Sequence, residues 1–351
     1  MQDSLFDDLP PAPTPPARAA AGPAHAGATV PGAAPVPGQL VEMAAALPPL
    51  LRMGGSTWSY PGWEGLVWDG PYDPSVLAKN GLTAYAQHPL LRTVCIDRSF
   101  WRPLTVSQYA GYAGQSPADF SFVVKCPSVV TDALVRAEDG RGRETNPAFL
   151  DAELAVASFV EPALEGLGGK LGVLVFQLSP LTWDWLTRPT DLFARLQALL
   201  ERVRLQLAQH PQVIVAVEVR DPELLVPAFA QVLRAAGATF CLGLHGKMPP
   251  IEEQLPLLRS LWPGPLVCRW NLNRRFGPYG YEDAQKAHAP FNQIVSPDPH
   301  TRALLARTIA GVTGAGQRAY VTVSNDAEGC APRSIALLAE AVLEGGAGVR
   351  G

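Results

Sequence analysis

Leu171-Gly172-Val173-Leu174-Val175-Phe176-Gln177 is apolar from end to end until it closes on an amide. A strand with one wet face alternates apolar and polar side chains, whereas a strand covered on both faces reads as one unbroken apolar run. Runs of this kind recur at residues 52–57, 92–97, 120–125, 213–219, 239–244, 265–271 and 318–324, separated mostly by stretches with helical patterning. Eight of them predict an α/β fold, a closed (β/α)8 TIM barrel, because right-handed crossovers make consecutive strands parallel. In such barrels chemistry gathers at the C-terminal strand ends, and here those ends carry many polar side chains.

The helical pattern is strongest over 146–166, 191–209, 221–236 and 332–344, with Asp191 and Asp221 placed as N-cap or first-turn acids and Gly345 as a C-cap. Leu192, Leu196, Leu199 and Leu200 share one stripe, as a helix covering a barrel requires. Residues 130–145, with Arg136, Arg141 and Arg143, and residues 271–291, with Arg274 and Arg275, read as long basic loops at the catalytic end.

The chain has 351 residues, 47% of them hydrophobic, and a formal charge of -4, which suits one barrel over 49–345 plus a tail and gives no general attraction to polyanions. No apolar run is long enough for a membrane span, and the N-terminus lacks the basic and apolar regions of a signal peptide. Cys95, Cys126, Cys241, Cys268 and Cys330 include no C-x-x-C pair and read as reduced thiols, so a cytoplasmic location is expected.

Residues 1–48 read as a tail, disordered from about residue 7, because Pro, Ala and Gly dominate and little apolar surface is available to offset the entropy of ordering. At its start Gln2, Leu5 and Phe6 form a Q-x-x-L-F pattern, similar to the peptide by which bacterial replication and repair proteins dock on the sliding clamp. The pattern makes a sliding clamp a candidate partner; the alternative is an incidental start.

Six segments carry a broader resemblance. They are Gly54-Gly55-Ser56-Thr57-Trp58-Ser59-Tyr60-Pro61-Gly62-Trp63, residues 93–102 ending Ser99-Phe100-Trp101-Arg102, Phe120 to Lys125, Gly172 to Pro180, Val217-Glu218-Val219-Arg220, and Asn325 followed by Gly329. In this order they resemble the YecE-like family, domain-of-unknown-function family 72, over about residues 52–345. The resemblance implies a TIM barrel and supplies no activity; its distant likeness to endonuclease IV and sugar isomerases is analogy of fold. Cys95 and Asp97 stand where the family typically has Glu and Asn, Arg98 replaces a small residue, and Arg269-Trp270-Asn271 replaces a more usual His and Gly. A shift of two residues along a strand keeps the carboxylate on the same face.

Alternation puts Asp97 with Ser99, Glu218 with Arg220, Gly243 with His245, and Arg269 with Asn271 on faces that enter the barrel mouth. With Trp58, Lys125 and Gln177 they make a candidate site. Glu218 and Asp97 read as an acid/base pair, the alternative for Glu218 being an ion pair with Lys125 or Arg220. Lys125, Arg220 and Arg269 are read as charge stabilisers, Lys125 binding an anion or forming a Schiff base. His245 is a base or a hydrogen-bonded core histidine. Arg274 and Arg275, with Gly277 and Gly280, form the phosphate candidate, and Trp58, Trp63 and Trp101 are either stacking plates or packing plugs.

No histidine spacing suits a metal site, so no cofactor is expected; a single divalent ion between Asp97 and Glu218 stays open. The reading carried forward is an enzyme, a hydrolase or isomerase acting on a small anionic, phosphate-bearing or nucleotide-like ligand, with Gln177, Asn271 and Asn325 among its contacts. The alternatives are a non-catalytic nucleic-acid or clamp-associated module in DNA metabolism, and a sensor of small molecules.

Overall fold

A computed structural model describes residues 30–136 and 142–347. All eight predicted strands form: β1 Leu51–Gly55, β2 Thr93–Ile96, β3 Ser121–Lys125, β6 Leu171–Gln177, β7 Ile214–Glu218, β8 Thr239–Leu244, β9 Leu266–Trp270 and β10 Ala319–Val323. They pair in parallel and close in the order β1-β10-β9-β8-β7-β6-β3-β2. Two further strands, β4 Leu134–Arg136 and β5 Gly142–Thr145, pair antiparallel beside the barrel where the sequence reads as a loop. Arg141 and the side chain of Arg143 lie outside the described residues.

The period of two divides each strand between two cores. Phe176, Val217, Phe240, Leu242, Trp270 and Val321 point outward to the helices, while Cys95, Val123, Val173, Val175, Ile214, Ala216, Cys241, Val267 and Tyr320 fill the barrel interior. Tyr320 enters that interior because Gly172 leaves it room; a Cβ at Gly172 would lie 2.7 Å from the Tyr320 hydroxyl. The interior is thus apolar through its middle, and charged side chains gather in the upper layer, at the C-terminal strand ends.

Helix Pro189–Gln206 buries Leu192, Leu196, Leu199 and Leu200, with Asp191 in its first turn. Three predicted boundaries shift. The helix read over 146–166 starts at Ala152, where the Asp151 side chain accepts from the Leu154 N–H at 2.9 Å. Asp221 stands at the N-cap of a short 3-10 helix, Pro222–Leu224, without a side-chain capping bond; its carboxylate accepts from the Leu181 N–H at 2.9 Å, and the helix proper is Pro227–Ala235. Gly345 does not end the last helix, Ala331–Ala347, which runs through it.

Part of the stretch read as tail is ordered. Ala34 donates to the Val67 carbonyl at 2.9 Å, and helix Gly38–Ala46 buries Met43 against the main core with Leu40 and Leu47 beside it. A few apolar residues on one face suffice when an existing barrel supplies the opposing surface, so an Ala- and Pro-rich segment orders here. Gln2, Leu5 and Phe6 lie outside the described residues. Among the described residues no helix is long and apolar enough to cross a membrane.

Candidate functional site

Arg269, two residues before the strand β9 gives way to its loop, reaches across the barrel mouth. Its Nη1 donates to Glu218 Oε2 at 2.7 Å and to Gln177 Oε1 at 3.1 Å, and its Nη2 donates to both Asp97 oxygens at 2.9 and 3.1 Å. Arg220 Nη2 lies 2.8 Å from Glu218 Oε1 and donates to Gln177 Oε1 at 3.1 Å. Asn271 Nδ2 completes the shell of Glu218 Oε1 at 3.4 Å. Four strand ends, those of β2, β6, β7 and β9, are therefore tied together by one planar guanidinium, the group best shaped for paired carboxylates.

This network has depth. Glu218 is fully buried and Arg269 keeps 3% of its side-chain surface, whereas Asp97 and Lys125 keep 15% and 11%. Burial alone would raise the Glu218 carboxyl, but Arg220, Arg269 and then Lys125 overcome it and hold the group at about 2. Its folded value lies below its ordinary value of 4.5, so the stability it contributes is present above that value and is lost as pH falls toward about 2. The stability difference between wild type and Glu218→Gln is expected to shrink through this window when thermal unfolding is followed against pH; a difference independent of pH would show that Glu218 is not held ionised.

Lys125 is positioned by Ser99, whose hydroxyl donates to the Lys125 carbonyl at 2.6 Å and is also 2.7 Å from the Ile96 carbonyl. Ser99 thus does not share the strand face with Asp97: the chain turns helical over Arg98–Trp101, and the period of two ends there. The Lys125 ammonium sits 3.8 Å over the Phe100 ring and 4.0 Å from Asp97 Oδ1. Burial pulls it down to about 8, partly opposed by Asp97.

His245 is on the rim, its ring 5.3 Å from that of Tyr281, and its Nδ1 accepts from the Lys247 N–H at 3.0 Å. Burial, then Arg220, lowers it to about 3, so at neutral pH it is an uncharged imidazole with Nε2 as the donor. Trp58 is buried edge-on to Tyr112 at 5.2 Å. Trp63 and Asn325 are a structural tie, the indole donating to Asn325 Oδ1 at 3.1 Å while the same oxygen accepts from the Ala331 N–H at 2.8 Å. Arg274 and Arg275 are exposed on a short turn held by Asn273 and make no contact with the Arg269 network.

Three residues at the mouth were not among the sequence candidates. Asp326 follows β10; its Oδ2 lies 3.4 Å from Ser324 Oγ, and its Oδ1 is buried without a hydrogen-bond partner. Burial pushes its carboxyl up to about 7, against the Ser324 hydroxyl. Tyr60 and Tyr281 are raised first by burial, with Asp326 among the charges acting on each. Asp326 adjoins the candidate Asn325 and could have been weighed with it; Tyr281, on a helix beyond a long loop, leaves no trace in strand patterning.

Among the described residues, buried polar atoms without partners concentrate here: Trp58 Nε1, Arg220 Nη1, Arg269 Nε, Thr322 Oγ1, Asn325 Nδ2 and Asp326 Oδ1. Leaving a buried polar group unpaired costs about 1–3 kcal/mol, so such a cluster suits a place where ligand or solvent completes the bonding. A cavity of about 360 Å³ lies at the opposite end of the barrel, between helices Ile251–Ser260 and Pro299–Gly314, but it is lined mainly by Leu255, Leu258, Trp262 and Leu304, and Arg259 and Arg307 are its only charged groups. It carries none of this chemistry. Among the described residues no three His, Cys, Asp or Glu side chains converge as a metal site, and Arg269 already occupies the space between Asp97 and Glu218.

The family described as a protein of unknown function, DUF72, matches residues 52–349. No curated relative matches the chain. A crystal structure of a DUF72 family protein from Enterococcus faecalis is similar at 16% identity and a TM-score of 0.55, covering 84% of this chain and 95% of that one. One from Thermotoga maritima is similar at 19% identity and a TM-score of 0.51, covering 86% and 99%. With six motifs in register along the strand ends and a family match spanning the whole barrel, the chain belongs to the DUF72 family.

Proposed function

We propose that the barrel mouth binds a small anionic ligand, phosphate-bearing or nucleotide-like, and carries out acid/base chemistry on it, as a hydrolase or isomerase would. The observation that carries this reading is Lys125. Among the described residues its side chain is 11% exposed and makes a single ionic contact, 4.0 Å to Asp97, with the Phe100 ring 3.8 Å from the ammonium. A buried ammonium ordinarily collects short acceptors. An anion above Asp97 would supply them, and Arg220 Nη1 and Trp58 Nε1 are further donors without partners.

On this reading Asp97, Gln177, Glu218, Arg269 and Asn271 form a fixed floor. Glu218, with both oxygens engaged by guanidiniums and its carboxyl near 2, anchors Arg220 and Arg269 rather than carrying protons, which revises the acid/base pairing expected from alternation alone. Arg274 and Arg275 are left out of ligand contact. The five cysteines, all buried and unpaired, fit a reducing, cytoplasmic setting.

Calorimetric titration with inorganic phosphate and with sulfate at low ionic strength tests the proposal. Saturable binding is expected in the wild type and a drop of about 10- to 100-fold in affinity in Lys125→Met, the range for a charge-assisted contact of 1.5–3 kcal/mol. Equal affinity in the two proteins, or no heat in the wild type, would remove it.

A further inference from the structure

We propose that the cavity of about 360 Å³ at the N-terminal end of the barrel, where Thr239 opens β8 and Pro265 precedes β9, binds a medium-chain fatty acid anion. The alkyl tail lies along the groove and the carboxylate meets Arg259 and Arg307. This site is separate from the mouth and stands independently of the reading given for Lys125. Its volume falls within the range of small-molecule pockets, about 300–1,000 Å³, and matches the share of about a dozen waters in the liquid. A methylene fills about as much room as a water, so a tail of about ten carbons fits.

The lining decides which ligand the groove can take. Leu255 and Leu258 come from helix Ile251–Ser260, Leu304 and Val312 from helix Pro299–Gly314, and Trp262 keeps 51% of its surface exposed. Two hydroxyls line the groove and both are spent on the backbone: Thr239 Oγ1 donates to the Pro265 carbonyl at 3.1 Å, and Thr308 Oγ1 to the Leu304 carbonyl at 2.8 Å. The side-chain donors left over are the guanidiniums of Arg259 and Arg307 and the Trp262 indole, and no carboxylate or side-chain amide lines the groove. Among the described residues neither guanidinium has an ion pair or a hydrogen bond of its own. Such a wall cannot recognise the many polar groups of a sugar or a nucleotide, but it complements one anionic head on an apolar body. Gly311 keeps the space open. It continues the stripe Leu304, Arg307, Thr308 along its helix, and a Cβ there would meet nothing within 4 Å. Glycine is a poor helix former and no neighbour requires it at this position, so its effect is to leave the groove unfilled.

Calorimetric titration of the full-length protein with decanoate, below its micelle concentration, tests the proposal. Saturable binding is expected, about 10- to 20-fold weaker for octanoate, which buries two methylenes fewer. Arg259→Gln and Arg307→Gln should each weaken decanoate about 2- to 5-fold, the range for an exposed ion pair. Gly311→Leu should abolish binding without lowering the thermal midpoint, because leucine is the better helix former and enters space already present, while Gly311→Ala should retain binding. Absence of saturable heat with decanoate overturns the proposal. So does equal affinity for decanoate and octanoate, or binding that survives Gly311→Leu. A wild-type dimer that Gly311→Leu dissociates would assign the groove to a second copy of the chain and overturns it as well. Phosphate and sulfate binding at the mouth should be unchanged in Gly311→Leu, so the two sites succeed or fail separately.

Discussion

Arg269→Met is expected to lower the unfolding free energy by about 3–5 kcal/mol, the cost of breaking a buried ion pair by removing one partner. Arg269 supplies hydrogen bonds to Asp97, Gln177 and Glu218 at once, so its loss strands two carboxylates and an amide oxygen in a layer where water is scarce. Arg220 and Lys125 soften the loss, since Arg220 still touches Glu218 at 2.8 Å and Lys125 lies 4.0 Å from Asp97. Methionine keeps much of the aliphatic volume, which confines the effect to charge and hydrogen bonding. Chemical denaturation should show the midpoint falling with an unchanged slope. Repeated in a Glu218→Gln background, the same substitution should cost less, because one of the stranded charges is gone; additive costs would show that the pair is not coupled.

Why the barrel could be read from sequence while its electrostatics could not follows from what each depends on. A strand such as Ile214–Glu218 is covered on both faces, so every position must be apolar until the chain reaches the mouth, and the boundary is written in composition. The same alternation correctly pairs Glu218 with Arg220 and Arg269 with Asn271, since these positions continue the strand direction. It fails at Ser99, because the helical turn after Asp97 breaks the period, and the hydroxyl bonds backbone carbonyls instead.

Which carboxylate keeps its proton depends on the cations that reach it. Glu218 is held low by Arg220, two residues on, and by Arg269 from β9, 51 residues later, while Asp326 is raised because no such group arrives. Nothing local to Asn325-Asp326 distinguishes those cases. Helix Gly38–Ala46 was hidden for a related reason: its order comes from the barrel surface that it covers, which its own composition does not report.

The motif around Gly54 shows a further kind of information, one that concerns closure rather than chemistry. Strands β1 and β2 meet at the seam of the barrel over only two register pairs, Gly54 with Thr93 and Gly55 with Val94. A Cβ at Gly54 would run into the Thr93 carbonyl, so glycine lets the two backbones approach. Tyr85 then bridges the seam: its buried hydroxyl accepts from the Gly55 N–H at 2.6 Å and donates to the Thr93 carbonyl at 2.9 Å. Tyr85→Phe preserves the ring, which packs on Trp63 and Phe120, and removes only the bridge. A buried N–H and a buried C=O then lose their shared partner at about 1–3 kcal/mol each, so a loss of about 3 kcal/mol is expected in denaturant unfolding. Hydrogen exchange localises the cause, since the Gly55 amide should lose far more protection than amides of β6 and β7 on the far side of the barrel. Uniform loss of protection, or none, would show that backbone pairing alone holds the seam. Because the Gly54-to-Trp63 motif begins at this seam and ends at the indole that ties Asn325, closing the barrel and setting the β10 end of the mouth are one structural task.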